Sequence, residues 1–365
     1  MVTCDDFRGI AVSSVFSKLF ESCLYDLFAV YFVTDHNQFG FKPGIGCTHA
    51  VFCARKIISN YVAHGNTATI LALDISKAFP RVNHYALLAK LIARKAPVVL
   101  VDLLDSWLQR STSRVRWRGT VSERFGLRLG VNQGSVLAPA LFSIFINDIV
   151  ISCNNLACGE ILVYADDVLI IAKSVCTLQI MFDIVQKEVN RCNMSLNVKK
   201  CCALRVGPRF NCECACITTT SGLAIAWVSE MRYLGVYFVS GRVLKFSTSN
   251  VKCAFNRAAN SILSKVLNVG SEDLILHLIK VKCLPILLYC LEACDLNKSA
   301  IASLDFCVSR FGFRIFKTGD RNIVRDCFAN MGFLVPSELL PLRAFKFLFK
   351  LQHSDNLCCK RALMF

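Results

Sequence analysis

Ile161-Leu162-Val163-Tyr164-Ala165-Asp166-Asp167-Val168-Leu169-Ile170-Ile171-Ala172 sets an acidic pair between two uncharged apolar runs. Each run has the length and composition of a buried strand, and the residues between them leave room only for a tight turn. Successive side chains of a strand point to opposite faces. Asp166 and Asp167 therefore serve one site only if they sit at a hairpin tip. A plain surface turn between two core strands reads the same stretch equally well.

Two further segments bear on that choice. Ile70-Leu71-Ala72-Leu73 predicts a buried strand ending at Asp74, followed by Ile75-Ser76-Lys77-Ala78-Phe79. Taken alone, an Asp in that place is best read as the cap of a following helix. Gly130-Val131-Asn132-Gln133-Gly134-Ser135-Val136-Leu137-Ala138-Pro139 is a loop opening onto a helix over 140–149, with Pro139 in the first turn, where its missing N–H is not needed. Such a junction receives phosphate, lets a backbone approach closely, or simply starts a helix. Together, three carboxylates on strand ends and a hairpin tip supply the oxygen ligands that hard cations require. Two such cations serve phosphoryl transfer.

Composition fits a polyanion-handling protein. The chain has 365 residues, 54% of them hydrophobic and 19% charged, which excludes intrinsic disorder and allows a large core. Lys plus Arg is 42 against 26 acidic residues, a net +16. Residues 1–240 hold 24 basic and 17 acidic side chains (+7) and residues 241–365 hold 18 and 9 (+9), so the last third is the more basic. Mean hydropathy is high at +0.47, yet no apolar run long enough to span a membrane escapes interruption; Asp148 breaks 136–151 and Asp166 and Asp167 break 161–172. The first residues carry no basic and apolar signal pattern. A nuclear or cytoplasmic, non-secreted protein is expected, with its 21 cysteines reduced.

Along the rest of the chain, Phe16, Leu19, Cys23, Leu27 and Tyr31 predict the buried face of a helix capped by Ser13 or Ser14. Helices are expected over 47–63 and over 84–110 with a break near Pro97. Six arginines among Val, Trp, Phe and Leu between 110 and 128 predict a basic hairpin. Leu178, Met181, Phe182, Val185, Val189 and Cys192 mark another helix face, and the chain beyond 250 reads as helical. Cys212, Cys214 and Cys216 would share one face of a strand, a spacing that suits packing better than zinc. The best domain boundary falls near Ser240-Gly241.

The ordered set of motifs resembles the reverse transcriptase domain of a non-LTR (LINE-like) retrotransposon over residues 5–239. An opening block runs from Asp6-Phe7-Arg8-Gly9-Ile10 to Lys18-Leu19-Phe20-Glu21, and Gln38-Phe39-Gly40-Phe41-Lys42-Pro43-Gly44 resembles the fingers loop. Asp74 to Phe79 resembles the first catalytic block, and Gly130 to Pro139 with Leu141-Phe142 and Ile146-Asn147-Asp148 the template-gripping block. Tyr164-Ala165-Asp166-Asp167 is the family's most recognisable tetrapeptide. Leu196-Asn197 with Lys200, then Tyr233-Leu234-Gly235, complete the series.

The resemblance implies an α+β right-hand polymerase, with fingers and palm in 1–239 and a helical, basic thumb in 240–365. It implies an RNA-directed DNA polymerase acting on an RNA template, a DNA primer and dNTPs. Two Mg²⁺ ions, replaceable by Mn²⁺, would be held by Asp74, Asp166, Asp167 and the backbone carbonyl of Ile75. Phe79 would lie under the incoming sugar, Gln133 and Gly134 would meet template and nucleotide, and Lys42 the triphosphate. Lys200 would donate a proton to pyrophosphate, and Tyr233, Leu234 and Gly235 would form the primer grip. The chain departs from the pattern at Pro80, where the family usually has Asp, at Lys42 and Ile45, where arginines are usual, and at Ala138, where Ser is common. Pro80 is expected to disturb the turn carrying Phe79, the alternative being a turn that already tolerates proline at a first-helical position. That departure and an absent upstream endonuclease suit the rival reading, a catalytically decayed remnant; an RNA-binding maturase-like protein is the other.

Overall fold

The computed structural model describes residues 9–156, 158–266 and 270–365; Asp6, Phe7 and Arg8 of the opening block lie outside the described residues. Two compact units emerge. One takes the described residues through Gly46, then Ala68–Ala203 and Glu213–Trp227; the other takes Cys47–Thr67, Leu204–Cys212 and Val228–Phe365.

Elements are numbered in chain order. The first unit holds helices α1 (Val15–Leu27), α3 (His84–Ala93), α4 (Val98–Gln109), α5 (Ala138–Asn154) and α6 (Val175–Arg191). Its sheet is built on β1 (Ala68–Ser76), β6 (Gly159–Tyr164) and β7 (Asp167–Ala172). Shorter strands β8 (Ser195–Leu196), β9 (Cys202–Val206, of which Cys202 and Ala203 belong to this unit), β10 (Ile217–Thr218) and β11 (Ala224–Trp227) extend it in the order β10-β11-β9-β1-β7-β6, with β8 also pairing β1. The predicted hairpin is present: β6 and β7 pair antiparallel from Gly159↔Ala172 to Tyr164↔Asp167. Consecutive residues of β7 from Val168 to Ala172 are buried, so both sheet faces are covered. Helix α5 packs on β6, and α6 packs on β7 through the face running from Leu178 to Val189. A separate ribbon is formed by β2 (Thr112–Ser113), β3 (Arg116–Trp117), β4 (Thr120–Val121) and β5 (Phe125–Gly126), as the arginine-rich segment predicts.

Three readings need correction. Asp74 caps no helix: β1 runs on to Ser76, Lys77 turns at φ 47°, and a 3₁₀ turn, Phe79–Arg81, follows. Cys212, Cys214 and Cys216 lie on no strand. Helix α1 forms and is capped by Ser14, but its expected core face points outward, with Phe16 84% and Leu27 75% exposed. The buried residues are Glu21 and Leu24. A carboxylate won over the apolar stripe, because Glu21 reaches a set of backbone amides described below and so fixes the helix's rotation.

The second unit holds α2 (Cys47–Ala63), a three-stranded sheet of β12 (Glu230–Tyr233), β13 (Val236–Val239) and β14 (Lys245–Ser247), and the C-terminal helices. These are α7 (Ser249–Val266), α8 (Glu272–Leu278), α9 (Leu284–Leu287), α10 (Lys298–Ile315), α11 (Arg321–Asn330), α12 (Pro336–Gln352) and α13 (Leu357–Met364). Helix α2, although far upstream in sequence, packs with α13, and the rings of His49 and Phe52 meet Phe347 of α12 edge-on at 5.1 and 5.5 Å. The step in charge at Ser240-Gly241 falls in the loop between β13 and β14. Among the described residues no helix is long and apolar enough to cross a membrane.

Candidate active site

The central geometry is a pairing. Asp74 of β1 stands directly opposite Asp167 of β7 in antiparallel register, so their side chains share one sheet face. Asp166 precedes Asp167 in the turn, where Ala165 takes φ 54° and is buried. Ile75 follows Asp74 and pairs with Leu196 of β8. The next turn hangs from Asp74 itself: the Asn197 N–H donates to the Asp74 carbonyl at 2.9 Å, and the Lys200 and Cys201 N–H groups donate back to the Asn197 carbonyl. Lys200 thereby brings its ammonium to 3.6 Å from Asp74 Oδ2, with the carboxylate 25% exposed. Burial pushes the neighbouring Cys201 thiol up to about 11.

The tip of the hairpin is held by Gln38, which the sequence places in the fingers-like loop without giving it a role of its own. Gln38 is fully buried, and its Oε1 accepts from Gly40 N–H at 2.8 Å and from Ala165 N–H at 3.2 Å. Its Nε2 has no hydrogen-bond partner among the described residues. A Cβ at Gly40 would fall 2.6 Å from Ala165 N, so only glycine lets the loop close on the tip. The loop is tied to α5 as well: Asp35 N–H donates to Asn147 Oδ1 at 2.9 Å. Asp148, beside it, pairs with Lys90 at 2.8 Å. Lys42 donates to the carbonyls of Thr34 and Asp35 at 3.1 and 2.5 Å, which folds its ammonium against its own loop.

Phe79 is half-buried, stacked on Phe142 of α5 at 4.4 Å and edge-on to Phe41 at 6.0 Å. Pro80 fits the turn that follows. It occupies a first-turn position of the 3₁₀ segment, where no N–H is required, and Phe79 remains inside that segment. The expected displacement of Phe79 by proline is thus absent. A Cβ at Gly130 would lie 2.8 Å from the Pro80 Cα, and Val131 N–H donates to the Phe79 carbonyl at 3.0 Å.

The junction 130–139 is explained by close approach and by an internal anion. Gly134, at φ 118°, lies against Ala11, whose carbonyl would meet a Cβ at 2.4 Å, and Ala11 N–H donates to the Gln133 carbonyl at 2.8 Å. At the start of α5, Glu21 Oε2 accepts from the N–H groups of Val136 and Leu137 at 2.6 and 3.0 Å and from the Ser135 hydroxyl. Ser17 donates to Oε1 at 3.1 Å, and Glu21 is only 1% exposed. The anion that the helix N-terminus favours is here the chain's own carboxylate, and of the readings open for this junction the structure bears out the close approach of backbone at Gly134. The signal in the sequence was a lone acid among Leu19, Phe20 and Leu24.

In the second unit, Tyr233 ends β12 and pairs with Val236, leaving Leu234 and Gly235 as a two-residue loop with φ of 46° and 84°. Both positive values define a hairpin turn in which a leucine is strained. Gly235 lies against the Tyr289 ring, which a Cβ would meet at 2.9 Å.

Residues 3–238 match the family described as reverse transcriptase (RNA-dependent DNA polymerase). The chain belongs to the reverse transcriptase family. Its relatives include the retrovirus-related Pol polyprotein of a type-2 retrotransposable element of Drosophila melanogaster, 26% identical over 254 residues that cover 65% of this chain and 24% of that protein. The RNA-directed DNA polymerase from mobile element jockey of Drosophila funebris is 32% identical over 209 residues, covering 54% and 22%. This reverse transcriptase chain therefore spans about a quarter of the length of these relatives. Among solved structures, apo telomerase from Candida tropicalis matches with a TM-score of 0.47 and 12% identity over 84% of this chain and 55% of that one. The α+β right-hand polymerase fold is that of the family, and the non-LTR resemblance of the motifs is matched by the mobile elements among its relatives.

Proposed function

We propose that this chain is the polymerase domain of a non-LTR retrotransposon, an RNA-directed DNA polymerase that joins dNTPs to a primer 3′-hydroxyl on an RNA template. The observation that carries the reading is the Asp74–Asp167 pairing with Asp166 beside it in the turn. Fingers and palm are assigned to 1–239 and the helical thumb to 240–365, with nucleus or cytoplasm as the place of action.

The donor set suits two Mg²⁺ ions, with Mn²⁺ as substitute. Carboxylates facing one another across a strand pair need a counter-charge, which Lys200 now lends to Asp74. Among the described residues no three acidic, His or Cys side chains are yet drawn together as a finished cation cage. Asp74, Asp166 and Asp167, with the Ile75 carbonyl, would hold the ions, which when bound activate the attacking hydroxyl and take up charge on the leaving phosphates. Lys200 carries a proton within reach of the same carboxylate and would give it to the departing pyrophosphate. Phe79, braced by Phe142, presents a flat ring that would exclude a ribose 2′-hydroxyl. Gln133 and Gly134 would face template and nucleotide, Lys42 would turn from its carbonyls to the triphosphate, and the Tyr233-Leu234-Gly235 turn would grip the primer.

The test is primer extension by purified protein on an RNA template with dNTPs and Mg²⁺. Extension that stops on chelation and in Asp166→Asn supports the reading. Tight template binding that needs no divalent metal, with no extension, would instead identify a remnant or a dedicated RNA-binding protein.

A further inference from the structure

We propose that the ribbon of residues 110–128 is a second nucleic-acid contact of this domain, an arm whose arginines grip the sugar–phosphate backbone of the template–primer duplex. The proposal deepens the polymerase reading and rests on it. The arm is a long hairpin: Thr112 and Ser113 pair with Gly126 and Phe125, and Arg116 and Trp117 pair with Val121 and Thr120. The first two pairs sum to 238 in residue number and the last two to 237, so one extra residue bulges out on the returning strand, by Glu123 and Arg124, and sharpens the twist. Every residue from 114 to 126 is exposed. A two-stranded ribbon with no core beneath it is marginal in water, which leaves a partner to complete it.

Charge says what that partner is. The segment carries Arg110, Arg114, Arg116, Arg118, Arg124 and Arg128 against the single acid Glu123, a balance of +5 over the arm. None of the six arginines belongs to an ion pair among the described residues. The guanidinium fork fits phosphate oxygens in pairs, and the interleaved exposed rings of Trp117 and Phe125 suit stacking on bases or packing on sugars.

A second observation is independent of charge. The hairpin tip is Arg118-Gly119, both at positive φ (47° and 86°), the two-residue turn that Asn-Gly or Gly-Gly makes without strain. An arginine held in that conformation at the tip of the arm costs local backbone strain where asparagine or glycine would cost none, and it sets a guanidinium at the arm's end, where a phosphate can be met. The foot of the arm is anchored where the chemistry is: Gly130 N–H donates to the Val82 carbonyl at 2.8 Å and Val131 N–H to the Phe79 carbonyl at 3.0 Å. The arm thus rises from the turn that carries the sugar-facing ring.

The experiment measures binding of an RNA–DNA hybrid duplex by fluorescence anisotropy, without divalent metal, over a series of salt concentrations. Each phosphate that the protein no longer neutralises flattens the slope of log K against log salt by roughly 0.7–0.9. Replacing Arg114, Arg116 and Arg118 together with Gln should flatten it by about two units or more, while a triple Lys variant keeps most of the slope. Arg118→Asn is the decisive single change. Asn relieves the strained turn, so the melting temperature should hold or rise while the slope still flattens by the increment of about one phosphate. Unchanged slopes in folded Gln and Asn variants would overturn the proposal. So would a loss of binding to phosphatidylserine vesicles with duplex binding intact. Extension by the parent, read in parallel, separates the two failures: a parent that extends with arm variants that bind normally sinks the arm alone, whereas a parent that never extends sinks the polymerase reading.

Discussion

Asp167 faces Asp74 across two strands, so its charge is both a candidate ligand and a source of repulsion. Asp167→Asn should lower primer extension by about 10²–10³-fold or more, the scale of losing a key electrostatic stabiliser, while the melting temperature stays level or rises. A variant extending at the parental rate would remove Asp167 from the site. Phe79 has two roles to separate. It stacks on the buried Phe142, so Phe79→Ala should cost about 2–3 kcal/mol, below the 3–5 typical of a fully buried ring. Below its melting temperature the same variant should admit ribonucleotides; unchanged sugar discrimination would leave Phe79 as core alone. Pro80 already sits in a turn that suits it. Pro80→Asp should therefore lose about 0.4–1 kcal/mol through a freer unfolded chain, with dNTP saturation unaltered. A marked gain in extension by the variant would show that proline impairs this copy.

Glu21 shows what a single side chain does to an element. Its carboxylate takes two backbone amides and a hydroxyl at the start of α5 and the Ser17 hydroxyl on its other oxygen, and Glu21→Gln would leave these donors one uncharged acceptor oxygen. Hydrogen bonds to a charged group are worth about 1.5–3 kcal/mol, so the urea midpoint should fall by at least one such bond; a variant as stable as the parent would deny Glu21 its capping role. This interaction also marks the limit of what periodicity reveals. The hairpin at 164–167 was legible because the uncharged runs 161–165 and 168–172 leave the acids only the turn between them, and α6 because its apolar face meets nothing stronger. The α1 face was misread because the amides that attract Glu21 lie more than a hundred residues away in the chain. The part Gln38 plays within its loop was hidden for the same reason: it holds Ala165 N–H, and nothing near it in sequence announces that partner. Among the site residues, Asp74, Asp166 and Asp167 stood out by their place between apolar runs, whereas Lys200 acquires meaning only from the turn hung on the Asp74 carbonyl.

Across the whole molecule, thiols couple stability to alkaline pH. Burial pushes Cys153 up to about 12 and Cys201 and Cys290 up to about 11, against an ordinary 9.0. The folded chain keeps these protons when the unfolded chain has released them, so the stability they contribute is full below pH 9 and drains away towards pH 12. Urea midpoints should fall over that window, and Cys153→Ala should make the fall shallower; a pH-independent midpoint would refute the linkage. The loop that closes on the acidic hairpin has one more consequence. Asn37 and Phe39 bond to Val163 along the outer side of β6, the terminal strand of the sheet. They therefore sheath a run, Ile161-Leu162-Val163, that would otherwise offer bare amides and carbonyls to any second chain. A shortened chain that begins beyond this loop would lose more than the clasp on Ala165: it would carry an open template for strand stacking and collect as aggregate.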